Sequence, residues 1–332
     1  MKSIDEAQAR DRRRLLQQLP AVLAAWAPAL PAQTPWPVRP LRWVVPFAPG
    51  GGADVIARLV APTLSIQLST PIVIDNRPGA SGTIGSDAVA RGADDGHTAL
   101  MSNNASMATA PAVYPKLGYE ALRDFVHVFM IGSFANALLV RADHSVKSLS
   151  ELLQLAKRKP GMLTFASAGT GSAGHLTGEL LKIKAGIDLQ HVPYKGTGPA
   201  ITDLLAGHID ALFDGLPASL NYIRSGKLRA LAVSSQQRLP MLPDTPTLAE
   251  TVEGVYGSAW FGLSMPAKTP REVVRKLESA GRRCMDDAVL RQRLLDIGVL
   301  PSGLGEAEYT ALVKSEIARW APVIREAKVR AE

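Results

Sequence analysis

The chain has 332 residues, of which 46% are apolar, 20% charged and 5% aromatic, with 37 basic against 30 acidic side chains and a formal net charge of +7. That length suits about two domains, and the composition excludes wholesale disorder or a single small module. A lone cysteine, Cys284, excludes an internal disulfide and a thiolate zinc site, and the scarcity of Phe, Tyr and Trp predicts an aliphatic core.

Residues 1–32 differ from the rest. Arg10, Arg12, Arg13 and Arg14 precede an alanine-rich apolar run, Leu15 to Ala32, which is the layout of an export signal. The arginine cluster looks like a twin-arginine signal, with Sec as the other route, and Pro28-Ala29-Leu30-Pro31-Ala32 supplies small residues for cleavage. A signal peptide over 1–32 and a periplasmic location are therefore expected, without a lipid anchor, because no cysteine follows the run. No later segment reaches the roughly 18 apolar residues of a membrane span. Lys and Arg are interspersed with acids rather than gathered with aromatics, which argues against nucleic acid. A mild positive field suits small anions.

From Leu41 the sequence alternates strand and helix. A strand at 41–47 leads through a glycine cluster to a helix at 53–68, then a strand at 72–74, a helix at 80–91 and a strand at 98–101. Strand character over 129–132 continues through 137–140, and Ser148 caps a helix at 149–157. A second series follows: strand 163–167, a glycine loop, helix 176–184, strand 189–194, helix 198–206, strand 209–213, helix 217–225 and strand 228–233. A strand at 260–265 and helices at 270–286, 288–297 and 306–329 close the chain. This is an α/β pattern with mostly parallel sheets. It divides into one lobe of 33–139 plus 257–332 and a second of 140–256, with a cleft between them.

The chemistry gathers at two glycine loops. In Pro46-Phe47-Ala48-Pro49-Gly50-Gly51-Gly52-Ala53-Asp54 the glycines admit close approach of a ligand, and the following helix start offers unpaired N–H groups and a positive dipole end for a carboxylate. Phe47, Gly50, Gly51, Gly52 and Ala53 are ligand-binding candidates, with Asp54 as the helix cap. The second loop repeats the build with hydroxyls, making Ser167, Gly169, Thr170, Gly171, Ser172 and His175 candidates, the histidine either as a donor to the ligand or as a helix-capping group. Valine at Gly51 or Gly171 is expected to fill the cradle. At strand tips, Asn103, Asn104, Ser106, Tyr194, Lys195 and Asp214 are candidates for the far end of the ligand.

Gly169-Thr170-Gly171-Ser172-Ala173-Gly174 also spells the dinucleotide fingerprint, but the next strand ends in Tyr194-Lys195-Gly196 with no acid for a ribose. Neither a nucleophile elbow nor a zinc-protease histidine pair is present. No cofactor, metal or catalytic residue is expected.

The ordered series Val45-Pro46-Phe47 with its glycines and Asp54, Asn76-Arg77-Pro78-Gly79-Ala80-Ser81-Gly82, Ser167 to His175, Pro193-Tyr194-Lys195-Gly196 and Leu242-Pro243-Asp244-Thr245-Pro246-Thr247 resembles the extracytoplasmic solute receptors of tripartite tricarboxylate transporters, the Bug receptors. The resemblance covers about 40–330. It implies a two-lobed periplasmic binding protein, type II-like, with a mostly parallel sheet in each lobe, whose hinged cleft closes on a small organic carboxylate for delivery to membrane transporter subunits. It further implies that loops 46–54 and 167–175 hold one carboxylate through backbone amides and bridging waters. Ala53, where a hydroxyl residue is common, and Asp94-Asp95-Gly96-His97 depart from the family pattern. A sensing subunit for a signalling partner is the alternative role, and the identity of the carboxylate stays open.

Overall fold

The computed structural model describes residues 36–331, and Arg39 onward form one unit. The expected export signal at 1–32 lies outside the described residues. Ten strands follow in chain order: β1 (Leu41–Val45), β2 (Ile72–Asn76), β3 (Thr98–Asn103), β4 (Phe125–Arg141), β5 (Thr164–Ser167), β6 (Gln190–Pro193), β7 (Ala211–Gly215), β8 (Leu228–Val233), β9 (Ser258–Pro266) and β10 (Val299–Pro301). The helices are α1 (Gly52–Leu68), α2 (Thr83–Ala90), α3 (Ala110–Val113), α4 (Leu149–Arg158), α5 (Ala173–Ala185), α6 (Thr197–Ala206), α7 (Leu216–Arg224), α8 (Leu248–Thr251), α9 (Arg271–Asp286), α10 (Ala288–Asp296) and α11 (Glu306–Glu326).

The sheet runs β2-β1-β3-β9-β4-β7-β5-β6, with β10 and β8 also paired to β4. In the first half β1, β2, β3 and β4 point one way, and β9 and β10 run against them. In the second half β5, β6, β7 and β8 point together and only β4 opposes them. Each half is thus an α/β sheet of mostly common strand direction, as in two-lobed binding proteins. The antiparallel pairings belong mainly to β4 and β9.

β4 is the member the two halves share. Phe125 to Ala135 pair with β9, and from Asn136 onward the same strand pairs with β7. The change of partner falls a few residues before the boundary read at 139, because the strand is continuous and apolar and no local break marks it. The way back is pinned where the Gly257 amide donates to the Ser234 carbonyl at 2.8 Å.

Alternation along the strands builds a core on both faces. Leu138, Val140, Phe165 and Phe213 join Leu149 and Leu152 of α4 and Leu181 of α5 in one cluster. Their neighbours Ala137, Leu139, Ala166 and Leu212 join Ala200, Ile201 and Leu204 of α6 and Leu216 of α7 in another. In the first half Val44, Leu100 and Met130 pack with Tyr309 and Val313 of α11. The core is mostly aliphatic, as expected, with Leu, Val, Ile and Ala forming the bulk of its clusters, while the few aromatics Trp43, Trp320, Tyr309, Phe129, Phe165 and Phe213 are its largest fully buried side chains. Aromatic rings bury the most area apiece, so even a few dominate the centre of a core.

A short π-helical stretch, Ala105–Thr109, follows β3. No periodic pattern in the sequence marks it. It matters because Thr109 Oγ1 donates to the Gly171 carbonyl across the halves at 2.6 Å. Ser81 Oγ donates to the Thr170 carbonyl at 2.5 Å, and the Ala48 amide donates to the Lys195 carbonyl at 3.1 Å. These three bonds tie the halves together around the cleft.

Candidate functional site

Between the halves lies a cavity of about 60 Å³, several times what one water needs. The start of α1 supplies Gly51, Gly52 and Ala53 to its wall, and the start of α5 supplies Ser172, Ala173 and Gly174. The first intrahelical bond of α1 runs from the Val55 amide to the Gly51 carbonyl, so the Gly52 and Ala53 amides precede it. In α5 the Ser172 hydroxyl accepts from the His175 amide, and the Leu176 amide reaches the Ser172 carbonyl, which leaves the Ala173 and Gly174 amides. Four orphan donors and two positive helix ends, one from each half, therefore border one small space. That arrangement can hold a carboxylate without a cationic side chain. No Lys, Arg or His is among the described residues that line it.

The glycines are required by the close packing here. A Cβ on Gly51 would stand 3.2 Å from the Thr197 hydroxyl of the opposite half, and one on Gly174 would stand 2.6 Å from the Phe213 carbonyl.

Each loop is braced from behind. Asp54 does not cap α1 at its first residue; the N-cap is Gly51, without a side-chain bond. Asp54 instead accepts from the Gly50 amide at 3.0 Å, from Arg58 at 2.9 Å and from Asn76 at 3.1 Å, and Asn76 donates on to the Phe47 carbonyl. Burial works to raise its carboxyl, but these donors outweigh it and hold Asp54 below its ordinary value. In the second loop Ser172 is the N-cap of α5, and His175 Nδ1 accepts from the Gly171 amide at 2.9 Å. The His175 ring stacks on His191 with 3.7 Å between centroids. Ser167 Oγ lies 2.7 Å from His191 Nε2. Burial above all lowers His191 to about 2, so that ring is neutral.

Of the residues expected from sequence, the cavity collects Phe47, Gly51, Gly52, Ala53, Asn103, Asn104, Ser172 and Asp214. Gly50, Asp54, Ser167, Gly169, Gly171 and Tyr194 do not line it. His175 and Thr170 border a different space, beside residues 327–331 near the end of the chain. The reason is the same in both loops: the entering residues turn the chain, and only the first helical turn faces inward. Gly171 is set against Val113 and Thr109 rather than against the cavity, Tyr194 donates to Asp203 at 2.5 Å, and the Lys195 side chain is exposed. Asn103 borders the space with its amide donating to Ser106 Oγ at 3.0 Å.

Sequence reasoning missed an aromatic wall. Phe261 stacks on Phe134 at 5.3 Å and meets Phe47 edge-on at 6.4 Å, and all three line the cavity with Phe213. It also missed Thr197 and Asn136. The signal for Asn136 was available: it is a lone amide in the apolar run Phe134-Ala135-Asn136-Ala137-Leu138. Asn104 and Asn136 are each 4% exposed and Asp214 is 1% exposed. The Nδ2 atoms of both asparagines, and both oxygens of Asp214, have no hydrogen-bond partner. Burial pushes the Asp214 carboxyl up to about 7, and the nearby Thr197 and Ser219 hydroxyls and Gly215 amide only moderate the shift.

Comparison with known proteins agrees with this architecture. The chain superposes on the periplasmic binding protein BugD with a TM-score of 0.85 and 34% identity, covering 89% of this chain and 100% of that one. It matches Rpa4515 of R. palustris, solved with adipate, at a TM-score of 0.86 and 36% identity over 88% and 98% of the two chains. MatC from Rhodopseudomonas palustris, with bound malate, gives 0.83 and 36% over 87% and 100%. Binding proteins of this kind are not enzymes, which removes the dinucleotide-fingerprint reading of Gly169–Gly174. Residues 56–329 match the tripartite tricarboxylate transporter family receptor, and the chain belongs to that family.

Proposed function

We propose that this chain is an exported periplasmic receptor that captures a small dicarboxylate between its lobes and presents it to the membrane subunits of a tripartite transporter. The observation that carries the reading is the meeting of four unpaired helix-start amides, from Gly52, Ala53, Ala173 and Gly174, at one cavity. The adipate and malate held by two solved relatives support a dicarboxylate. In this reading one carboxylate sits on the amides, the aromatic wall flanks the carbon chain, and the polar side chains of β4 and β7 meet the far end. The lobes are 33–139 with 257–332, and 140–256; β4 and the Ser234–Gly257 contact act as the hinge, and residues 1–32 direct export. Among the described residues no helix is long and apolar enough to cross a membrane, which fits delivery to separate membrane subunits.

A thermal-shift and calorimetric series with adipate, malate, amino acids and benzoates tests it. Saturable stabilisation by the dicarboxylates, growing as RT ln(1 + [L]/Kd), is expected. Failure of every carboxylate to stabilise the protein would overturn the reading.

A further inference from the structure

Asp214 is an anomaly in a site built for anions. It stands at the floor of the cavity on β7, 1% exposed, with both oxygens unpartnered. The cavity wall offers it no cation. If it were ionised, a ligand carboxylate would share a small, partly apolar space with a second negative charge, and neither would be neutralised. The surrounding groups favour oxygen acceptors on the ligand: the helix-start amides and the unpartnered Nδ2 atoms of Asn104 and Asn136 are all donors.

Resting on the receptor reading above, we infer that Asp214 meets its ligand as the neutral acid, donating its proton's hydrogen bond to a ligand carboxylate oxygen, so that capture of a dicarboxylate takes a proton up from solution. Asp214 is then the specificity-determining residue of the far end. It accepts a second carboxylate and needs no ammonium group there.

The charged groups on the packed elements are engaged elsewhere. On α5, Glu179 is paired with Lys182 at 3.0 Å and faces His175. On α6, Asp203 is bonded to Tyr194 and His208. On β4, Arg141 pairs with Asp143 and His127 bonds Ser264. Arg224 of α7 donates to the Asp296 carbonyl, and Arg229 of β8 donates to the Val146 carbonyl. Asp54 of α1 is paired with Arg58. What acts on Asp214 is burial, moderated by Thr197, Ser219 and the Gly215 amide.

The sign follows from linkage. Burial holds the free protein's Asp214 near 7, so below that value the acid form is already present and binding takes up little. Above it, each ligand bound takes up about one proton, and affinity falls about tenfold per pH unit. The test is calorimetric titration of the full chain with adipate and with malate from pH 5.5 to 9, in pairs of buffers of different ionisation enthalpy. Proton uptake approaching one per ligand at pH 8.5 and a falling affinity are expected. Asp214→Asn keeps an N–H donor but has no proton to gain, so it loses the uptake and flattens the pH profile. Asp214→Ala, with no donor, also weakens binding about tenfold at pH 6. Dicarboxylate binding by the wild type with no proton uptake and a flat pH profile overturns the inference and leaves the receptor reading standing. So does a loss of binding in Asp214→Asn together with tighter wild-type binding of L-aspartate than of malate. Absence of dicarboxylate binding at every pH overturns both.

Discussion

The two helix starts that face each other across the cleft are alike in backbone and opposite in how they are held. The α1 start has no side-chain cap at Gly51, and its brace is an ionic one set behind it, Asp54 with Arg58 and Asn76. The α5 start is capped directly by Ser172, and its loop is threaded through two stacked imidazoles. The first loop is therefore tuned by charge, the second by neutral hydrogen bonds and packing. Both leave the same product, main-chain amides ahead of the first helical bond, Gly52 and Ala53 in one half and Ala173 and Gly174 in the other. What is common to the loops is the anion cradle, and what differs is the condition under which each fails.

That difference can be broken at several points. The largest effect is expected at Gly51→Val, whose branched side chain would be driven into Thr197 of the opposite half. Affinity for adipate or malate should fall by about a hundredfold, or about 3 kcal/mol, with little change in the melting temperature of the ligand-free protein. Calorimetry and thermal denaturation separate the two. Gly171→Val should behave otherwise: a Cβ there lies 2.9 Å from Val113 at a φ of +80°, so the cost of about 1–3 kcal/mol falls on stability. Equal loss of affinity and no loss of stability in that variant would return Gly171 to the site.

Asp54→Ala should cost about 1–3 kcal/mol of stability, because it leaves the Gly50 amide and Arg58 without their acceptor. Its acid dependence sharpens the contrast. The folded-state carboxyl lies below its unfolded value near 3.8, so the stabilisation is complete above about pH 4 and is lost as pH falls through the folded value. Urea denaturation at pH 7 and pH 3 should show the wild type and the variant converging in acid. A gap that does not narrow between pH 7 and pH 3 would show that the carboxylate charge is not what braces the loop. Ser172→Ala, by contrast, should cost about 1 kcal/mol with no such dependence between pH 7 and pH 3. The smallest effect is expected at Ser81→Ala, where the lost bond to the Thr170 carbonyl should favour opening by about 0.5–1.5 kcal/mol. Small-angle scattering with and without adipate would show it as a larger radius at subsaturating ligand.

Much of this was readable in the chain. Alternating strands and amphipathic helices stand close to where the spacing places them, with Ser148 at a helix cap. The two glycine loops and their feed into helices were visible as local chemistry. Which glycines face the ligand space was not, because a loop's text does not state which of its residues turn the chain and which open the helix. Phe134 and Phe261 escaped for a different reason. They belong to β4 and β9, and each strand reads as plain buried core until register sets Phe134 against Ala259 and Gly132 against Phe261.

Asp214 marks the limit most clearly. As a polar residue at the end of an apolar strand it could be named a candidate, with a solvated carboxylate as the default. Its burial beside a cavity that no described Lys, Arg or His lines depends on β4, α6 and α7 arriving from distant parts of the chain. Local sequence determined the family, the strand and helix order, and the backbone donors, since caps, glycine turns and periodicity act between near neighbours. The tertiary structure alone decided which donors share a space and how acidic the group opposite them is, because desolvation is a property of everything that surrounds an atom.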